Sequence, residues 1–116
     1  MEEIIYRILI DRANNKGIEV VDRNFRSANL KGLYNQNGDI KVIALNTSLS
    51  PGERNFTLAH ELGHDELHRG KINEELYFNN SDYLKKLENE ADDYAYTLIN
   101  KIKGMNKKRY KVSVQI

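Results

Sequence analysis

Ser50-Pro51-Gly52-Glu53-Arg54-Asn55-Phe56-Thr57-Leu58-Ala59-His60-Glu61-Leu62-Gly63-His64 is the stretch on which the reading of this chain turns. It opens with a helix start. Ser50 offers a capping hydroxyl, Pro51 suits the first helical position, and Glu53 is placed to complete a capping box. The spacing predicts a helix running to about Arg69, where Gly70 ends it. Inside that helix lies His60-Glu61-Leu62-Gly63-His64, an H-E-x-x-H pattern. Residues four apart on a helix share a face, so both imidazoles reach one metal ion. Neutral imidazole is a good zinc ligand, and two of them leave positions for a third protein ligand and a water. Glu61 lies about 100° around the helix from His60, within reach of that water without taking a ligand position. Zinc acidifies the water, and the carboxylate accepts its proton as a carbonyl is attacked.

Two incidental histidines on a surface helix are the simpler reading, and three features weigh against it. Phe56, Leu58 and Ala59 give the helix an apolar flank to bury. Gly63 costs roughly 1 kcal/mol relative to Ala inside a helix, which makes sense where something packs close. All three histidines of the chain, His60, His64 and His68, fall at spacing four. His68 is not expected to join the same ion, because three successive turns span about 12 Å. It is expected to cap the helix end or line the cleft. Leu67 stands where a metzincin would carry glycine.

A third ligand is sought among the acidic residues of Glu88-Asn89-Glu90-Ala91-Asp92-Asp93-Tyr94-Ala95. They sit on a predicted last helix whose apolar face carries Leu84, Leu87, Ala91, Tyr94, Ala95, Leu98 and Ile102. With Leu84 at zero the apolar face centres near about 340°, Glu88 falls at about 40° and Glu90 at about 240°. Periodicity thus slightly prefers Glu88 and leaves both open, while Asp93 points mostly away.

Around this pair of helices the chain reads as one α+β domain. Its 116 residues set that scale, and 40% hydrophobic with 30% charged residues is a globular composition. Ile4, Ile5, Ile8 and Leu9 make one stripe of a first helix over residues 2–15, stopped by Gly17. Residues 18–21 are a short strand. Residues 30–33 and 40–45 flank Asn35-Gln36-Asn37-Gly38-Asp39, whose Asn-Gly signals a hairpin. Strands grouped between helices predict a small antiparallel or mixed sheet packed on helices. After a polar stretch over residues 71–80, Ser81 or Asp82 is expected to cap the last helix and Gly104 to end it. Residues 1–104 then form the domain, and 105–116 a basic tail that alternates from Tyr110 to Ile116 and is loose or pairs as an edge strand.

Composition excludes several classes of function. With no Cys there is no disulfide scaffold, cysteine-ligated zinc or thiol nucleophile. No apolar run reaches membrane-spanning length, and the start, Met1-Glu2-Glu3, is acidic where a signal peptide is basic. A cytoplasmic protein is expected. The net charge of +1 gives no global pointer to nucleic acid. Six basic residues and no acidic one lie between Lys101 and Ile116, a pattern that more often marks a solvated end than a nucleic-acid contact. Ser27, Ser48 and Ser50 have no histidine arrangement of a nucleophile around them, and Tyr77, Tyr83 and Tyr94 suit core or rim positions better than oxyanion donors.

The segment Phe56 to His64, followed by Glu90-Ala91-Asp92-Asp93-Tyr94-Ala95, resembles the ImmA/IrrE family of zinc metallopeptidases. The resemblance covers roughly residues 30–99. It implies a zincin-like fold, with the hairpin strand ahead of the active-site helix rimming a substrate cleft. It also implies zinc held by His60, His64 and Glu90, the last as the glutamate directly before the alanine, with Glu61 as catalytic base. Members are often encoded by phages and mobile elements and cleave or antagonise a helix-turn-helix repressor. The implied activity is therefore endopeptidase cleavage of a specific cytoplasmic protein. Members commonly continue after this helix through a proline-containing segment, where this chain has Leu98-Ile99-Asn100-Lys101. That departure suits a second reading: a non-catalytic antagonist with structural zinc that acts by docking.

Overall fold

Ser50 caps the central helix as expected. Its hydroxyl accepts from the Glu53 backbone N–H, and the Glu53 carboxylate accepts from the Ser50 N–H, closing the capping box. In the computed structural model of the chain this helix, α2, spans Pro51–His68. Gly70 follows at φ +69°, a conformation glycine adopts without steric cost. The structure describes residues 1–27, 29–71 and 74–115, with 74–75 and 106–115 described by backbone alone. The order is α1 Glu2–Asn15, β1 Ile18–Arg23, β2 Gly32–Asn37, β3 Ile40–Asn46, α2, α3 Glu74–Asn79 and α4 Ser81–Gln115.

The sheet is mixed, in the order β1-β3-β2. The hairpin expected from Asn37-Gly38 pairs β2 antiparallel to β3 across a two-residue turn, with Asn37 opposite Ile40 and Gly38 at φ +61°. β1 instead runs parallel to β3, Ile18 opposite Lys41. Residues 24–31 are too long a link for a tight hairpin, so β1 passes to the far side of β3 and leaves β2 as an edge. β2 begins later than the apolar residues 30–33 suggested and takes in Asn35, Gln36 and Asn37. An exposed edge strand tolerates such polar residues. Asn46 ties the two ends of the hairpin, its amide donating to the Leu30 carbonyl at 2.9 Å.

Ile5, Leu9, Ala13, Ile18, Ile43, Leu45, Leu58, Leu62, Ala95, Leu98 and Ile102 form one buried core from all three long helices and the sheet. Three expectations for the C-terminal third need correction. The polar stretch before α4 contains a short helix, α3, which has no apolar stripe for periodicity to detect. The cap of α4 is Asn80, whose side-chain oxygen accepts from the Tyr83 N–H at 3.0 Å. And α4 passes through Gly104 to Gln115, so the alternating tail is helical rather than an edge strand. A single helical glycine costs only about 1 kcal/mol, and the Met105 and lysines after it are good helix formers. The tail's basic side chains from Lys107 onward, and Ile116, lie outside the described residues. Among the described residues no helix is long and apolar enough to cross a membrane.

Candidate metal centre

Helix α2 presents Phe56, His60, His64 and His68 along one line, and α4 runs antiparallel beside it. Phe56 lies against Tyr96 with ring centres 4.8 Å apart, His60 against Asp92, and His64 against Glu88. The close approach is made at Gly63. A Cβ there would stand 3.1–3.2 Å from Tyr94 and from the Ala91 backbone, so glycine sets the helix separation that brings the polar side chains into range. This is the close packing that Gly63 implied.

His60 Nε2 and His64 Nε2 lie 3.1 Å apart. Glu88 spans both, with one carboxylate oxygen 2.9 Å from His60 Nε2 and the other 3.3 Å from His64 Nε2. Ligand atoms about 2.0–2.1 Å from a tetrahedral zinc lie roughly 3.3 Å from one another, so this donor set fits the ion. Two imidazole nitrogens facing each other at this distance repel unless a cation or a proton lies between them. Glu61, 6% exposed, lies beside the pair, with ligand atoms of His60, Glu61 and His64 all within 4.8 Å of one another.

The structure brings together His60, Glu61 and His64 as the motif required. It places Glu90 elsewhere: its carboxylate is 3.0 Å from His68 Nε2, while Glu88 reaches the two imidazoles. The wheel that centred on the apolar face had put Glu88 nearer to this contact face than Glu90. Asp92, which the sequence reading did not single out, lies 2.8 Å from His60 Nδ1. Glu88 and Asp92 are four apart, and that spacing opposite H-E-x-x-H was the available signal. Asp93 is exposed.

The electrostatics follow from these contacts. The His60 and His64 imidazoles in contact with it hold the Glu88 carboxyl well below the ordinary carboxylate range, against the effect of its partial burial. Burial pushes Glu61 up, and the neighbouring His64 and His60 offset only part of that rise. Burial also opposes charge on His60, but Glu88, Glu61 and Asp92 outweigh it and raise its pKa.

The site opens on a cleft of about 1220 Å³. Its far wall is β2, through Gly32, Leu33, Tyr34 and Gln36, and Tyr77 and Phe78 of α3 stand exposed at its mouth. The rim is thus the edge strand β2, with β3, the strand directly ahead of α2, behind it at the centre of the sheet. Two contacts pin β2 to α2. A Cβ on Gly32 would lie 2.6 Å from the Thr57 methyl, so only glycine admits this approach. The Tyr34 hydroxyl donates to buried Asp65 at 2.5 Å, and Lys41 reaches the same oxygen at 3.3 Å. Burial and this Asp65 contact both raise the Tyr34 pKa, so the phenol stays a donor.

No curated protein matches the chain. The family model for peptidase family M78, described as the IrrE N-terminal-like domain, matches residues 13–115, nearly the whole chain. The matched region takes in the mixed sheet and both helices of the site, and the chain belongs to the M78 peptidase family.

Proposed function

We propose that the protein is a zinc endopeptidase in which His60, His64 and Glu88 hold the metal and Glu61 is the general base. The observation that carries this reading is the convergence of His60 Nε2, His64 Nε2 and both Glu88 oxygens beside a buried Glu61 carboxylate, at the floor of an open cleft. Bound there, zinc supplies Lewis acidity that polarises a carbonyl and acidifies water. Glu61 accepts a proton from water at its carboxylate and returns it to the departing amide nitrogen. Its raised pKa suits a group that must release that proton again. β2 offers the outer backbone edge of the sheet along the cleft, and an extended peptide segment adds to such an edge by main-chain hydrogen bonds.

The substrate class follows from resemblance to ImmA/IrrE proteins: a cytoplasmic helix-turn-helix repressor, cleaved in an extended segment. The test pairs zinc content with hydrolysis of a library of quenched fluorescent peptides. The parent is expected to cleave a subset of the library, and Glu61→Gln to keep its zinc and lose cleavage by at least about 100-fold. Cleavage by Glu61→Gln at the parent rate would contradict the mechanism. A zinc-loaded parent that cleaves no peptide would favour docking without catalysis.

A further inference from the structure

We propose that His68 and Glu90 form a hydrogen-bonded relay that fixes the ring tautomer of His64, so that His68 is a positioning residue for the metal centre. The proposal rests on the reading above, in which His64 Nε2 is a ligand atom. A ligand nitrogen needs its lone pair, so the proton of the neutral His64 ring must sit on Nδ1. That nitrogen faces His68 Nδ1 at 2.9 Å, and His68 Nε2 in turn faces a Glu90 carboxylate oxygen at 3.0 Å.

The direction of the whole chain follows from its last member. An ionised carboxylate only accepts, so His68 must carry its proton on Nε2. Its Nδ1 then has a lone pair and accepts from His64 Nδ1–H. His64 Nε2 is thereby left free, turned toward His60 Nε2 and Glu88. The opposite polarity would put a proton on the nitrogen that has to bind metal. His68 is 4% exposed, so these two contacts satisfy both of its ring nitrogens where water has little access.

The two metal histidines are therefore anchored to α4 in different ways. His60 donates directly to Asp92. His64 has Glu88 on its ligand side, and the carboxylate that orients it, Glu90, is met only through His68, one turn farther along α2. Imidazole suits the gap because one neutral ring accepts at one edge and donates at the other. Orienting partners of this kind commonly affect metal affinity by about 10- to 100-fold.

The experiment measures cobalt(II) affinity by chelator competition, the cobalt ligand-field spectrum, and imidazole nitrogen-15 spectra of the metal-free chain at alkaline pH. His68→Phe keeps the bulk and removes the relay, and cobalt affinity is expected to fall about 10- to 100-fold with the spectrum unchanged in shape. Glu90→Gln, at a half-exposed position that folding tolerates, replaces an acceptor with a group that also donates. It is expected to weaken cobalt binding, and in the metal-free spectra His68→Phe, which leaves His64 Nδ1 without its acceptor, is expected to move the His64 proton from Nδ1 toward Nε2 beside Glu88. His68→Gln, whose amide accepts and donates in the same sense, is expected to recover part of the affinity lost in His68→Phe. Parent affinity in either His68→Phe or Glu90→Gln, or a His64 proton unmoved in His68→Phe, would overturn the relay. Loss of cobalt in Glu90→Gln with retention in Glu88→Ala would overturn both the relay and the ligand set. Loss in Glu88→Ala with a parent-like Glu90→Gln would overturn the relay alone.

Discussion

Helix α2 meets α4 along two adjacent stripes that follow different rules. On one, Gly63 sits against Ala91 and Tyr94, and Leu62 and Ala59 share the core with Ala95 and Leu98. Fit there is a matter of volume. On the other, His60, His64 and His68 face Asp92, Glu88 and Glu90. Fit there is a matter of which atom donates and which accepts. The difference means that damage to the first stripe is read in stability, and damage to the second in metal binding. A substitution that moves both readouts together breaks the distinction.

The largest expected effect is on the apolar side. Leu58 is fully buried in the core beside that stripe, and Leu58→Ala should cost about 2–5 kcal/mol in denaturant unfolding while the folded fraction still binds one zinc per chain. Loss of zinc from the folded variant would show that packing and ligand geometry are not separable. Gly32→Ala comes next. The Thr57 methyl and the Ala44 carbonyl oxygen leave no room for a Cβ, so about 1–3 kcal/mol of unfolding free energy should be lost. Gly63→Ala should lose less, because about 1 kcal/mol of helix propensity offsets part of the crowding against Tyr94. A Gly63→Ala variant more stable than the parent would show that the two helices separate freely.

Tyr34→Phe tests the wall of the cleft. It removes one donor from buried Asp65 while Lys41 remains, and should cost about 1 kcal/mol without changing zinc content. The smallest effect lies at the surface, where Lys16 bonds Glu66 across α1 and α2. Lys16 lowers the folded-state pKa of Glu66, so the pair's contribution is present above the ordinary glutamate pKa and lost as pH falls through the lowered one. The stability difference between parent and Glu66→Gln should therefore be a fraction of a kcal/mol at neutral pH and vanish in acid. A difference that grew on acidification would reverse the assigned sign.

Local rules carried much of this molecule. The capping box at Ser50, the stop at Gly17 and the Asn37-Gly38 turn are decided by a few adjacent residues, and the structure has them where they were expected. The parallel partner of β1 was not legible, because strand order depends on which edge of β3 is open and not on the β1 residues. The helix beyond Gly104 was not legible because alternation in so short a tail suits a strand as well as a helix, and one helical glycine costs too little to stop α4. At the site, H-E-x-x-H carried its meaning in spacing alone. The roles of Glu88, Glu90 and Asp92 depended on how α4 lies across α2, which Gly63 and Ala91 set. The wheel put Glu88 nearer the contact face, and Glu88 is the carboxylate that lies against His60 and His64.

The central claim, that Glu88 completes the His60 and His64 site, is tested most directly by zinc content at saturating metal in the parent, Glu61→Gln, Glu88→Ala and Glu90→Ala. The account predicts one zinc per chain in the parent, in Glu61→Gln and in Glu90→Ala, and none in Glu88→Ala. Zinc retained by Glu88→Ala and lost from Glu90→Ala would contradict it.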